Sequence, residues 1–165
     1  MLTLLFILLL VSVTYVVAAT IHQKYIPDSI SAIVYTFGKP GRLMWILWMF
    51  LCAFLVLPPL IEAMPDNVQF LAFFTGASLA FCGAMPLVKN ERNDGHYICG
   101  IIAGIFSQIC VVYICRECMA VWFLLPIARI LMSRETFYRI FVLILEMICT
   151  STIILTLFIH YTIII

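Results

Sequence analysis

Charge is what this chain has least of. Only 10% of its 165 residues are Asp, Glu, Lys or Arg, whereas soluble domains carry about 25%. No polar stretch is longer than a loop, so a soluble substrate-binding domain has nowhere to fit. The net charge of +1 leaves no basic face of the kind nucleic acid requires. A P-loop, a Rossmann glycine pattern, an H-E-x-x-H pair and a serine elbow are all missing, which removes the chemistries those motifs signal. No Lys or Arg precedes the first apolar run. Small residues at Val17-Ala18-Ala19 would suit a cleavage site, but a signal peptide also needs a positive start, and a retained anchor is expected instead.

What is present is hydrophobic: 65% of residues, against about 45–50% in soluble domains. The expected fold is an all-α membrane protein in a single domain, residues 1–165: a six-transmembrane-helix bundle with a short amphipathic interfacial helix after helix 1. The expected spans are Leu2–Ile21, Leu43–Ile61, Val68–Val88, Tyr97–Ile114, Met119–Met132 and Ile140–Ile165. Crossing the hydrocarbon takes about 20 apolar residues. Met119–Met132 is short for that and contains Pro126.

Charge placement argues for keeping it. With six crossings, Lys24, Lys39, Arg42, Lys89, Arg92, Arg129, Arg134 and Arg139 share one side and only Arg116 faces the other. Deleting the fifth span destroys this bias, and short cytoplasmic loops favour Lys and Arg. The chain is therefore expected in a cytoplasmic (inner) membrane of a bacterium, with both termini extracytoplasmic. Within loop 1, Pro27-Asp28-Ser29 supplies a helix start. Ile30, Ile33, Val34 and Phe37 follow at helical spacing, and Gly38 and Pro40 stop the run. Such a helix would lie in the inner interface, with Trp45 and Trp48 as interfacial residues beyond Arg42.

Small residues mark close packing. Ala72, Gly76, Ala80 and Ala84 recur every four residues in the third span, while Gly100 and Gly104 make a G-x-x-x-G step with Gln108 on the same stripe. Small residues let membrane helices approach, and a buried amide hydrogen-bonds across them. Pro58-Pro59 and Pro126 are candidate bends.

Glu146 is the foremost functional candidate, because an ionisable group inside a span is costly and marks a site by default. Asp28, Ser29 and Ser31 in loop 1 and His96 at the start of the fourth span complete a candidate polar vestibule on the same side. Local pairing of Glu146, and a capping role for His96, are the structural alternatives. His160 lies about 21 Å further along the last helix and belongs to no compact site with Glu146. Cys115-Arg116-Glu117-Cys118 is a C-x-x-C in the outer turn, a candidate redox pair or disulfide, although loop 2 offers no second cysteine pair for exchange. The other cysteines suit apolar packing.

Ser29-Ile30-Ser31, Gln69-Phe70-Leu71-Ala72-Phe73, His96-Tyr97 and Glu146-Met147 together resemble small uncharacterised multipass membrane proteins of anaerobic gut bacteria. The likeness covers most of the chain. It implies that Ser29, His96 and Glu146 matter together and brings no activity. Arg116-Glu117 and the apolar tail after Thr150 depart from it.

The leading expectation is a non-enzymatic membrane protein that binds a lipid, a small amphiphile or a partner subunit at an inner-leaflet-facing pocket. Membrane lipids and a membrane partner or second copy are the expected partners, with no cofactor and no metal. The alternatives are a small proton-coupled transporter using Glu146, an intramembrane lipid-modifying enzyme using Asp28, His96 and Glu146, and a thiol redox protein using Cys115 and Cys118.

Overall fold

The computed structural model describes residues 1–23, 26–36, 38–88 and 94–164. Phe37, Lys24, Lys89 and Arg92 lie outside the described residues. Among those described, every regular element is helical. In hydrocarbon a helix satisfies its own backbone polar groups, so long apolar runs fold this way.

The elements in chain order are α1 (Leu2–Gln23), a 3-10 turn (Ser31–Thr36), α2 (Lys39–Ala63), a 3-10 turn (Asp66–Val68), α3 (Gln69–Val88) and α4 (Asp94–Cys115). A 3-10 stretch (Arg116–Phe123), α5 (Leu124–Leu131), α6 (Arg134–Arg139), α7 (Phe141–Ile159) and a terminal π-turn (His160–Ile164) complete the chain. Gly38 precedes α2 and Pro40 sits in its first turn, where the missing N–H would have had no intrahelical partner. Ser133 caps α6 by accepting the Thr136 N–H at 3.3 Å.

Five stretches are long and apolar enough to cross a membrane: Leu2–His22, Lys39–Ala63, Asp66–Pro86, Asp94–Leu131 and Phe141–Ile163. The fourth holds 38 residues, nearly twice what one crossing needs. It is not one rod. Cys115 leaves the helical region (φ −156°, ψ 85°), and Trp122 Nε1 then donates to Gln108 Oε1 at 2.9 Å. On a continuous α-helix these two residues would stand about 21 Å apart, so the chain turns back along α4.

The returning piece, Arg116–Leu131, is built from eight 3-10 residues followed by eight α residues. Rises of about 2.0 and 1.5 Å per residue give it a reach of roughly 28 Å, close to the hydrocarbon thickness of about 30 Å. The 3-10 form lends a short segment the length its residue count lacks. Pro126 falls in the first turn of α5, where the 3-10 stretch passes into α-helix.

α3 packs against α2 on one side and α4 on the other, α4 packs on α7, and α1 rests against α2 and α7. The main core joins Leu8, Val56, Leu60, Ala72, Val111 and Leu157. Phe70, Phe73, Phe81, Ile101 and Ile105 face outward, as a span that is apolar all round requires. Phe6, near the start of α1, meets Phe158, near the end of α7, with ring centroids 5.1 Å apart. Tyr161 nearby donates to the Pro59 carbonyl at 2.9 Å. At the opposite end, Ile30 meets Glu146. The two ends of the chain therefore share one end of the bundle.

Two expectations change. First, the loop 1 helix is a six-residue 3-10 turn whose apolar residues do not form an outward-facing stripe, since Ile33 and Val34 are completely buried. Val34 joins Trp45, Ile46, Met49 and Cys82 in a second core cluster. Second, Trp45 is a core residue, 1% exposed, and Trp48 donates from Nε1 to the Val11 carbonyl at 3.1 Å; with Tyr15 stacked on Trp48, this aromatic group ties α1 to α2.

The small residues meet several neighbours, with α3 and α4 packed directly together. A Cβ at Gly76 would meet Leu57 of α2 at 3.0 Å, and one at Gly104 would meet Cys149 of α7 at 3.9 Å; Gly100 faces Cys82 of α3 at 3.8 Å. The tightest approach is at Gly83, where a Cβ would overlap Met49 Cβ.

Candidate functional site

Loop 1 and the start of α7 are joined by a reciprocal clasp. Helix starts leave four N–H groups without intrahelical partners, and Ile140, which precedes α7, supplies no side-chain acceptor. The Asp28 carbonyl fills that role by accepting the Leu143 N–H at 3.1 Å. In return, Glu146 Oε2 accepts the Ile30 N–H in a short hydrogen bond. Bonds from a backbone amide to a carboxylate are charge-assisted and stronger than neutral ones. Each segment thus satisfies a backbone donor of the other.

The remaining loop 1 residues fit around this clasp. Ser29 is buried and its Oγ lies 3.2 Å from Ser31 Oγ. Asp28 contributes its backbone; its side chain is exposed. Ser29, Ser31 and Glu146 are thereby brought together, while the Asp28 carboxylate stays outside the group.

His96 reaches the same end of the bundle by another route. Pro86 has no N–H, so the carbonyl four residues earlier, on Cys82, loses its helical partner. His96 Nδ1 lies 3.1 Å from that carbonyl, and only a protonated Nδ1 makes this a hydrogen bond. The ring also sits 3.6 Å from Cys82 Sγ and is 3% exposed. His96 therefore repairs the gap left by Pro86 and joins α4 to α3. Among the described residues, no group of three His, Cys, Asp or Glu side chains is placed to hold a metal ion.

A second polar group lies along α4. Gln108 Nε2 donates to Ser107 Oγ at 3.1 Å and to the Cys149 carbonyl of α7 at 3.3 Å, while its Oε1 accepts from Trp122. The amide bonds across to α7 and to the returning segment, not to α3. At the turn itself, Cys118 Sγ lies 3.5 Å from Cys115 Sγ.

Cys82 and Trp122 were not among the expected residues. Cys82 was legible in principle, since a proline four residues downstream frees its carbonyl. Trp122 carried no such signal: its partner depends on the chain reversing at Cys115.

No protein-family model, curated protein or solved structure matches this chain.

Proposed function

We propose that this chain crosses a bacterial cytoplasmic membrane six times, with both termini extracytoplasmic, and binds the polar head of a lipid or small amphiphile beneath loop 1. The shared end of the two chain termini supports an even number of crossings, and the return of Arg116–Leu131 along α4 supports counting that stretch separately. Lys39, Arg42, Arg129, Arg134 and Arg139 then fall on the side of loop 1 and Arg116 on the other, in keeping with cytoplasmic enrichment of positive charge.

The observation that carries the binding proposal is Glu146: a carboxylate within an apolar helix that holds loop 1 through the Ile30 amide. A carboxylate at membrane depth is costly without hydrogen-bond partners, and a loop amide is a partner that a ligand donor can replace. A headgroup bearing hydroxyl or ammonium donors would take the place of the Ile30 N–H on Glu146. Release of that bond would free loop 1, and the Ser29 and Ser31 hydroxyls would offer further contacts. Loop 1 is the gate in this reading and Glu146 the anchor.

Native mass spectrometry of the full chain in mild detergent tests it. Wild-type protein should retain an amphiphile from the membrane, and Glu146→Gln should lower that occupancy roughly tenfold, the loss of a charged hydrogen bond worth about 1.5–3 kcal/mol. Equal occupancy in the two proteins, or none in either, would remove the proposed site.

A further inference from the structure

The turn between α4 and the returning segment carries chemistry that headgroup binding does not use. Cys115 is the last residue of α4 and Cys118 lies in the 3-10 stretch that follows. One 3-10 turn advances about 6 Å over three residues and returns the side chain to the same face, within the Cα separation that disulfides span. Their sulfur atoms are in direct contact, with the Cys118 S–H directed at Cys115 Sγ at 3.5 Å. Cys115 is part-exposed and Cys118 is only 4% exposed. Arg116 and Glu117, which separate them, are paired with one another and are largely solvent-facing.

We propose that Cys115 and Cys118 are a dithiol site that closes to an intramolecular disulfide, stapling the reversal of the chain, with Cys115 as the entry thiol and Cys118 as the resolving thiol. The oxidant is an external disulfide, either a small molecule or a thiol-disulfide exchange protein. Cys115, as thiolate, attacks one sulfur of that disulfide, forming a mixed disulfide and releasing the first thiol. Cys118 then attacks Cys115 Sγ, the new intramolecular bond forms, and the second thiol leaves. Two protons and two electrons pass from the pair to the oxidant, which ends as two thiols.

Exposure sets the order, because only Cys115 can meet a bulky oxidant. The Cys115 S–H points at Glu117 Oε2, 3.5 Å away, and partial burial, with Cys118 and Glu117 beside it, raises the Cys115 thiol above its ordinary value, so the attacking thiolate is scarce and closure is slow. This is the behaviour of a staple and not of a rapidly cycling catalyst. The same turn sets Trp122 on Gln108, and through Gln108 on α7. Closing the disulfide therefore fixes one end of that connection.

The test uses the full chain in detergent, oxidised with glutathione disulfide, denatured, alkylated and mapped by peptide mass spectrometry. The expected product is a single bond joining Cys115 to Cys118 within one chain, with two of the seven thiols protected from alkylation and both recovered on reduction. Cys118→Ser should instead accumulate a glutathione adduct on Cys115, because the resolving thiol is gone. Alkylation of both Cys115 and Cys118 after oxidation, a lasting adduct on Cys115 in the wild-type chain, or a bond from either residue to a different cysteine would each overturn the proposal. The wild-type mapping decides the matter even if the variant fails to fold.

Discussion

At the scale of single residues, the strongest features are pairs in which one side chain repairs another residue's backbone. His96 supplies the hydrogen bond to the Cys82 carbonyl that Pro86 cannot make. His96→Ala should therefore lower stability by about 1–3 kcal/mol, the cost of leaving a buried acceptor unpaired. Pro86→Ala restores an N–H four residues after Cys82 and should recover most of that loss when combined with His96→Ala. A double-mutant cycle on thermal unfolding checks it; simple additivity of the two changes would show that the carbonyl is not what couples them. Glu146 gives a parallel case. Glu146→Ala orphans the Ile30 N–H and should cost about 1–3 kcal/mol, whereas Glu146→Gln keeps an acceptor and should cost less. Hydrogen exchange at the Ile30 amide should accelerate strongly in the Ala variant and weakly in Gln.

At the scale of elements, helix approach is set by individual glycines more than by stripes. Gly83 has no room for a Cβ against Met49, whereas Gly104 has ordinary van der Waals space beside Cys149. Gly83→Ala should part α2 from α3 at a cost of about 1–3 kcal/mol, typical of overpacking. Gly104→Ala should be close to neutral in the same thermal assay. Equal effects at the two positions would contradict this placement of the close contact.

The elements also separate what the sequence made legible from what it did not. Long apolar runs such as Leu2–Ile21 and Leu43–Ile61 announce themselves, since length and hydropathy alone decide that they are helices. Met119–Met132 was the weak span because counting residues assumes an α rise; the 3-10 stretch from Arg116 adds reach that composition does not encode. The spacing of Ile30, Ile33 and Val34 correctly marks them as apolar partners of something. Periodicity does not say whether that partner is lipid or protein, and here Ile33 and Val34 are buried in the bundle. Glu146 stood out as a lone carboxylate in an apolar run, but its bond to Ile30 spans 116 residues of sequence. Contacts at that separation follow from tertiary packing, which no local pattern carries.

At the scale of the whole molecule, the central claim is an arrangement. The described ends of the chain lie together at one end of the helical bundle, loop 1 and the start of α7 lie together at the other, where Glu146 holds the loop, and we propose that the bundle makes six crossings. Parity is its sharpest consequence: six crossings place residue 1 and residue 165 on the same side, and five place them on opposite sides. Single reporter cysteines at Leu2, Asp28 and Ile163, in a background free of the seven native cysteines, allow labelling of intact cells with a membrane-impermeant maleimide. The account expects Leu2→Cys and Ile163→Cys to label in intact cells and Asp28→Cys to label only after permeabilisation. Opposite labelling of the two terminal positions would contradict the six-crossing arrangement, and labelling of Asp28→Cys in intact cells would contradict a cytoplasmic loop 1.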